Sequence, residues 1–531
     1  MNKLLLLATT IALFACTTIN AQAPVLGTAR NFALFSTNGA VSSTGLSHVT
    51  GHVGTNNGSS TNFGNVDGVM HDQDGTTAIA AADLNTAYLQ LDDAIPNFFP
   101  APLLGNGQTL NAGTYAIGES ASLNNTLILD GQGSSNAVFI FQIQGAFSSA
   151  AGSQVQLING ALACNVFWKI EGLVDLATNT WMKGTIVANN AAIILNSGVN
   201  LEGRALSTTG AVTVSNVTAV TPLGCGTPVL TGPQAPNLNE VACFTVFTGN
   251  GTVNNTGVSF VTGDIGSNSG LTTGYQDQNV DGTIHTNPDT TTAQAAVQLD
   301  NVYAYLSGLP VDIQLLYPAA FGSNLVLTPH TYLLNAATVL TGSIFLNAQD
   351  NVDAVFVLKI VGEFSSAPLA SVVLQNGAQA KNVFWTVDGA TNLQSNTSLK
   401  GTVIGNNGAV NLYTGVTVEG RVLSTSGGIT TNAISAQMTP GCGTMATPDA
   451  SQVATAQFYP NPFSNALNVA MEGFNSGVTE LTIYNTLGIL VMKVSLNADV
   501  TSIPVSLSSG IYYYRMVGDN GQQQAGKVIS K

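Results

Sequence analysis

Residues 184–195 read GTIVANNAAIIL and residues 203–214 read GRALSTTGAVTV, the same phrase moved on by 19 positions. The second half of the chain repeats the pair, with GTVIGNNGAVNL at 401–412 and GRVLSTSGGITT at 420–431. Each phrase carries short runs of β-branched and aliphatic residues broken by Gly, Asn and Thr–Gly turns, a strand signature. A 19-residue period of short strands predicts a stack of coils. One coil cannot bury its apolar face alone, so neighbouring coils share a continuous core.

The phrases belong to a larger duplication. GALACNVFWKIEG, from Gly160, opens a stretch that aligns without gaps to the one opened by GAQAKNVFWTVDG, from Gly377. Weaker matches continue upstream: NFALFSTNGAV answers CFTVFTGNGTV, and NVDGVMH answers NVDGTIH. The copies span 24–226 and 240–443, joined by TPVLTGPQAPNLN at 227–239, whose Pro and Gly mark a linker. One segment in each copy departs from the strand pattern. Ala80, Leu84, Ala87, Tyr88 and Leu91 recur at helical spacing, with DTTTAQAAVQLDNVYAYLSGL as the partner segment. Asp74 or Thr76 is the expected cap in copy 1 and Asp289 in copy 2. In the repeated Asn-Val-Phe-Trp, Val166 and Trp168 alternate with Asn165 and Phe167, and the large aromatics fit a core better than a ligand site.

Composition agrees with this reading. Charged residues are 8% of the chain against 45% hydrophobic, which suits large cores and few long helices. The fold class is mostly β: two β-solenoid domains, each with a flanking α-helix, and a small C-terminal β-sandwich. A net charge of -15 with no basic patch excludes a nucleic-acid partner. Residues 1–21 read as a secretory signal peptide, and Cys16 makes a poor lipoprotein site because Phe14 precedes it. No later apolar run is long enough to be a transmembrane segment. An exported chain with Cys164, Cys225, Cys243 and Cys442 suggests disulfides. Three pairings are possible, and the division into copies favours Cys164–Cys225 with Cys243–Cys442. After the polar linker 444–456, residues 457–531 hold strands separated by turns, a sandwich pattern.

Two resemblances follow. Asn-Phe-Ala-Leu at 31–34, Leu-Asp-Gly at 129–131, Asn-Val-Phe-Trp at 165–168 and 382–385, and Glu-Gly-Arg at 202–204 and 419–421 stand in the order of the ice-binding family labelled DUF3494. Copy 2 departs from it at Cys243, where copy 1 has Asn31. That resemblance implies a right-handed solenoid of triangular section that binds an ice crystal surface by one flat face, without catalysis. The tail resembles the C-terminal sorting domain of type IX secretion in Bacteroidetes through Tyr-Pro-Asn-Pro at 459–462, Ile-Tyr-Asn at 483–485 with Gly488, Gly-Ile-Tyr at 510–512 and the final Lys527 and Lys531. It implies type IX secretion machinery as a partner. The product is then secreted, extracellular or anchored at the outer cell surface.

Alternation in TTGAVTV turns Val212 and Val214 inward and leaves Thr209, Ala211 and Thr213 outward. The aligned coils offer Asn190, Ala192 and Ile194, then Asn407, Ala409 and Asn411, then Ser426, Gly428 and Thr430. The expected binding column is therefore polar, small, polar, and Ile194 breaks it. Ser148, Ser149, Ser365 and Ser366 are candidates to extend it. The chain is expected to act as a monomer with no cofactor. DQNVDG, from Asp277, opens like a calcium loop, but Pro288 stands where Glu is required, so a turn and no metal site is the reading. His71 and His285 fit loop hydrogen bonds, and Glu202–Arg204 and Glu419–Arg421 fit structural ion pairs. No nucleophile elbow or phosphate loop is present. With eight basic residues between Pro24 and Thr444, a polysaccharide lyase groove is disfavoured. The alternative to ice is a surface adhesin or carbohydrate-binding module on the same scaffold.

Overall fold

The computed structural model describes residues 21–226, 229–440, 442, 455–472, 479–486, 488–496, 498, 500–518 and 523–531. The leader expected over 1–21, bar its last residue, and most of the linker expected over 444–456 lie outside the described residues. The chain divides into two units, Met1–Cys442 and Gly443–Lys531.

The first unit is mostly β, with parallel sheets and one long helix per copy. The 19-residue coil is visible in register: Gly184 pairs with Gly203 and Thr185 with Arg204, as Gly401 pairs with Gly420. Strands Trp181–Ala188 and Asn200–Ser207 each serve two faces, bending at Gly184 and Gly203. Gly184 has φ 103°, and a Cβ on Gly203 would lie 1.9 Å from the Gly184 carbonyl oxygen, so only glycine lets the stacked corners approach. This bend overturns the expected Glu202–Arg204 pair. Glu202 stays outside and bonds Lys183 at 2.5 Å. Arg204 turns to another face, is buried, and donates from Nε to the Arg30 carbonyl at 2.7 Å. Copy 2 repeats the separation, with Glu419 on Lys400 and Arg421 on the Ala242 carbonyl.

Each copy has an eight-stranded face whose outer side is open. In copy 1 its order is Ser60–Thr61, Val41–Thr44, Val212–Ser215, Ile193–Leu195, Val174–Leu176, Phe147–Ser149, Ala121–Asn124, Leu103–Gly105. The first strands in sequence thus stack beyond the last coil. A second face is buried on both sides because a helix lies over it. α1 (Gly75–Asp92) sets Ala80, Leu84, Ala87 and Leu91 against Phe32, Ile140, Phe167 and Leu206. α2 (Thr290–Gly308) does the same in copy 2 with Leu299 and Leu306 on Phe244 and Phe384. Asp74 and Asp289 cap these helices by accepting the amides of Thr77 and Thr292, and each carboxylate also binds a histidine, His71 or His285. Trp168 and Trp385 fill the inner cores, and each indole N–H donates to a lysine carbonyl. A disulfide joins Cys164 to Cys225 and another joins Cys243 to Cys442.

The copies meet end to end. The last coil of copy 1 presents Asn65 and Asp67 to the first coil of copy 2. Asn65 accepts the Tyr317 amide at 2.9 Å and donates to the Tyr317 carbonyl at 3.0 Å. Asp67, 3% exposed, accepts the Tyr332 hydroxyl at 2.5 Å and the Thr328 hydroxyl at 2.7 Å. Burial pushes its carboxyl above the ordinary value, while His330 and these donors pull it down. Strand His48–Thr50 lies against Leu325–Leu327, and both belong to the third face of their copies. Met70, on the helix-covered face, lies near Gln314 of the corresponding face. Like faces therefore meet at the joint, which sets the two open faces on the same side of this unit.

The joint has a pH signature. The His52 ring accepts the Val69 amide at 3.0 Å, and burial, with His71 and His330 nearby, pushes its pKa down to about 4 from 6.5. A base with a depressed pKa contributes stability that is complete above 6.5 and lost as the pH falls through about 4. Exchange of the Val69 amide, corrected for its intrinsic pH dependence, is expected to lose protection near pH 4. Loss centred near 6.5 contradicts the buried, neutral imidazole.

In the second unit, Thr455–Tyr459, Ala466–Glu472 and Val500–Pro504 form one antiparallel sheet. Thr479–Tyr484, Leu490–Leu496, Gly510–Gly518 and Gln523–Ser530 form another. Leu467 and Val469 of the first and Leu481, Ile483 and Met516 of the second share one core.

Candidate binding face

The open faces hold the sequence candidates, and register sorts them. In copy 1 the outward residues at the strand centres form the row Leu103, Ser122, Ser148, Asp175, Ile194, Thr213, Ser42, Thr61. In copy 2 the row is Val339, Ser365, Asn392, Asn411, Thr430, Asn254, Thr273. The inward neighbours Val212, Val214, Val410 and Ile429 are fully buried, which fixes the alternation.

Thr213, Asn411 and Thr430 stand in these central rows. Ala192, Ala211, Ala409 and Gly428 make a second row just before the strands, their carbonyls accepting the preceding coil's amides at 2.9–3.0 Å. Their small side chains keep that row low. Thr209, Asn190, Asn407 and Ser426 sit on the bends instead, at the edge of the flat area. Asn190 and Asn407 have φ 51° and 53°, a conformation asparagine tolerates, so the turn itself explains them. The expected triplet is thus a sheet pair plus a corner. Ser148 and Ser365 fall in the central rows, and Ser149 and Ser366 turn inward to bond Thr180 and Thr397. Ser42, Thr61, Asn254 and Thr273 escaped the sequence reading, although STNGAVSS at 36–43 repeats the pattern of STTGAVTV and signals the extra coil.

The two rows differ chemically. Copy 1 carries a carboxylate, Asp175, which accepts from Asn196 at 2.7 Å, next to the apolar Ile194. Copy 2 has no charge in its row. Its side chains brace one another: Asn411 donates to Asn392 at 2.8 Å, the Thr273 hydroxyl donates to Asn254 at 2.8 Å, and Asn392 donates to the Glu363 carboxylate, outside the row, at 2.7 Å. Outward neighbours repeat at about 6.7 Å along a strand and about 4.8 Å between strands. Among the described residues no group of three or more His, Cys, Asp and Glu could hold a metal, and no helix is long and apolar enough to cross a membrane. The 277–279 stretch of the calcium-like phrase is a single turn of 3-10 helix.

Known proteins match this architecture. The family described as ice-binding-like matches residues 35–220 and 247–436, and the secretion system C-terminal sorting domain matches 457–531. The crystal structure of an ice binding protein from an Antarctic bacterium Flavobacteriaceae is 69% identical, with TM-score 0.78, over 79% of this chain and 100% of that one. The ice-binding protein of Nostoc sp. (strain HG1) is 39% identical over 36% of this chain and 72% of its own. That of Flammulina populicola is 32% identical over 38% of this chain and 91% of its own.

Proposed function

The chain belongs to the ice-binding-like family and ends in a secretion sorting domain, and from that premise we propose that it adsorbs to ice through the open faces of its two copies. It is secreted or held at the cell surface. Each copy, 24–226 and 240–443, is read as a right-handed β-solenoid joined by the linker 227–239, and residues 457–531 as a β-sandwich that engages the type IX machinery. No catalysis and no nucleic acid enter this function.

The uncharged copy 2 row carries the reading. A hydroxyl or amide on every coil of the row after Val339 can hold one water, while methyl and methylene groups limit how that water turns. Repeats near 6.7 and 4.8 Å make a grid that an ordered water layer can match. Coils locked by ladder hydrogen bonds leave little side-chain freedom to lose on binding. Each contact is weak, and adsorption comes from many contacts made together. Asp175 works against this in copy 1, because a carboxylate orders its own hydration shell, so copy 2 is the stronger face. The relatives named above are all ice-binding proteins and lend nothing to the adhesin alternative. The test is freezing hysteresis and recrystallization inhibition by the full chain. Both are expected at micromolar concentration, and absence of both refutes the reading.

A further inference from the structure

We propose that full chains associate head to tail, the free coil end of copy 2 in one chain docking on the free coil end of copy 1 in the next. The pattern for this contact is already built into the molecule, at the joint between the copies. There the Asn65-Val-Asp-Gly stretch is buried by the first coil of copy 2. The same four residues recur at 279–282 on the corresponding end of copy 2, where Asp281 is exposed: its backbone carbonyl accepts the Gly263 amide at 2.7 Å, and no hydrogen bond is described for its carboxylate.

The receiving end is also duplicated. Tyr332 takes Asp67 while its hydroxyl rests on the carbonyl four residues earlier, Thr328, at 2.6 Å. Tyr115 of copy 1 holds the same posture, its hydroxyl 2.5 Å from the Asn111 carbonyl, with no second copy above it. Around Tyr115 the first coil of copy 1 leaves apolar surface uncovered. Phe98 stacks on the Tyr115 ring at 4.8 Å yet is 43% exposed, and Phe99 is 77% exposed. At the structurally corresponding place in the occupied joint, Ile313 is buried. The free tail of copy 2 is apolar in turn: Phe260 and Leu271 are exposed where copy 1 has His48 and Ser59. Apolar surface exposed at both ends, with the joint's aspartate repeated on one and its tyrosine, buried under Phe98, repeated on the other, selects a second copy of this chain as the occupant. The ends are unlike, so the contact is heterologous and grows linearly instead of closing on itself. This departs from the monomer expected from the sequence, and it needs no ice.

Within one chain the linker holds the two ends at an effective concentration of about millimolar, so the contact between chains is weak and shows at comparable protein concentration. Sedimentation velocity of the full chain up to about 1 mM tests it. The weight-average mass is expected to rise past the dimer with concentration. Asp281→Lys, which blocks the tail, and Phe99→Asp, which blocks the head, change exposed residues and leave circular dichroism as it was. Each alone is expected to weaken association by about tenfold or more. An equimolar mixture of the two is expected to form dimers and stop there, because each chain keeps one working end. A wild-type mass that stays at the monomer throughout overturns the proposal. So does association that either substitution leaves unchanged, or a mixture that grows beyond the dimer.

Discussion

Thr430→Tyr is expected to cut the freezing hysteresis of the full chain to roughly a fifth, whereas Thr213→Tyr, at the matching position of copy 1, leaves more than about half. Both residues sit in central rows of open sheets, and both neighbours along the strand are buried. Their side chains point out, so tyrosine meets no core and folding is preserved. What differs is the row around them. Thr430 lies between Asn411 and Asn254 in an uncharged row braced by amide contacts. Thr213 lies between Ile194 and Ser42, two coils from Asp175. A ring standing several ångströms above Thr430 lifts the neighbouring coils off the ice surface, and simultaneous contact is lost along much of the row. The same ring at Thr213 disturbs a row already interrupted by an apolar side chain and a charge. Equal losses from the two substitutions contradict the asymmetry, and no loss from Thr430→Tyr contradicts the placement of the face.

Asp67→Ala has the second large effect, on stability. Asp67 accepts the Tyr332 hydroxyl and both the amide and hydroxyl of Thr328 in a buried joint. Alanine removes an acceptor that three donors share and opens a gap in the joint; the Tyr332 hydroxyl keeps the Thr328 carbonyl and the Thr328 amide keeps the Tyr332 hydroxyl, so the cost is about 2 kcal/mol. Asp281→Ala removes the same residue from the duplicated motif where it is exposed, and is expected to change stability by less than about 0.5 kcal/mol. Calorimetry of the two variants separates the cases. The first is expected to lower the main transition and split the melting of the copies. A small effect at Asp67 contradicts the joint as described.

Coil, duplication and helix were legible because each is a local period. The 19-residue offset reappears as the Gly184–Gly203 and Gly401–Gly420 register. Helical spacing picked Ala80, Leu84, Ala87 and Leu91, all buried, and Tyr88, which is half-buried. What stayed hidden depends on distant pairing or on a change of face. Leu34 pairs with Ala205, and no period connects residues so far apart, so the coils contributed by 41–61 were missed. Alternation assumes a straight strand, and the bend at Gly203 sends Glu202 and Arg204 to different faces. Phe167 belongs to a strand buried on both sides, because α1 covers what would otherwise be an outer surface. The charge of Asp175 was in view, yet only its register with Ile194 and Ser148 puts it in the binding row.

Fluorescently labelled full chain, presented to a growing single ice crystal beside an equally labelled Ala409→Tyr/Thr430→Tyr variant, tests the central claim most directly. Wild type is expected to be incorporated on defined ice planes. The variant, with unchanged circular dichroism, is expected to be excluded with the solute. Incorporation of both to the same extent, on the same planes, contradicts the open face of copy 2 as the surface that meets ice.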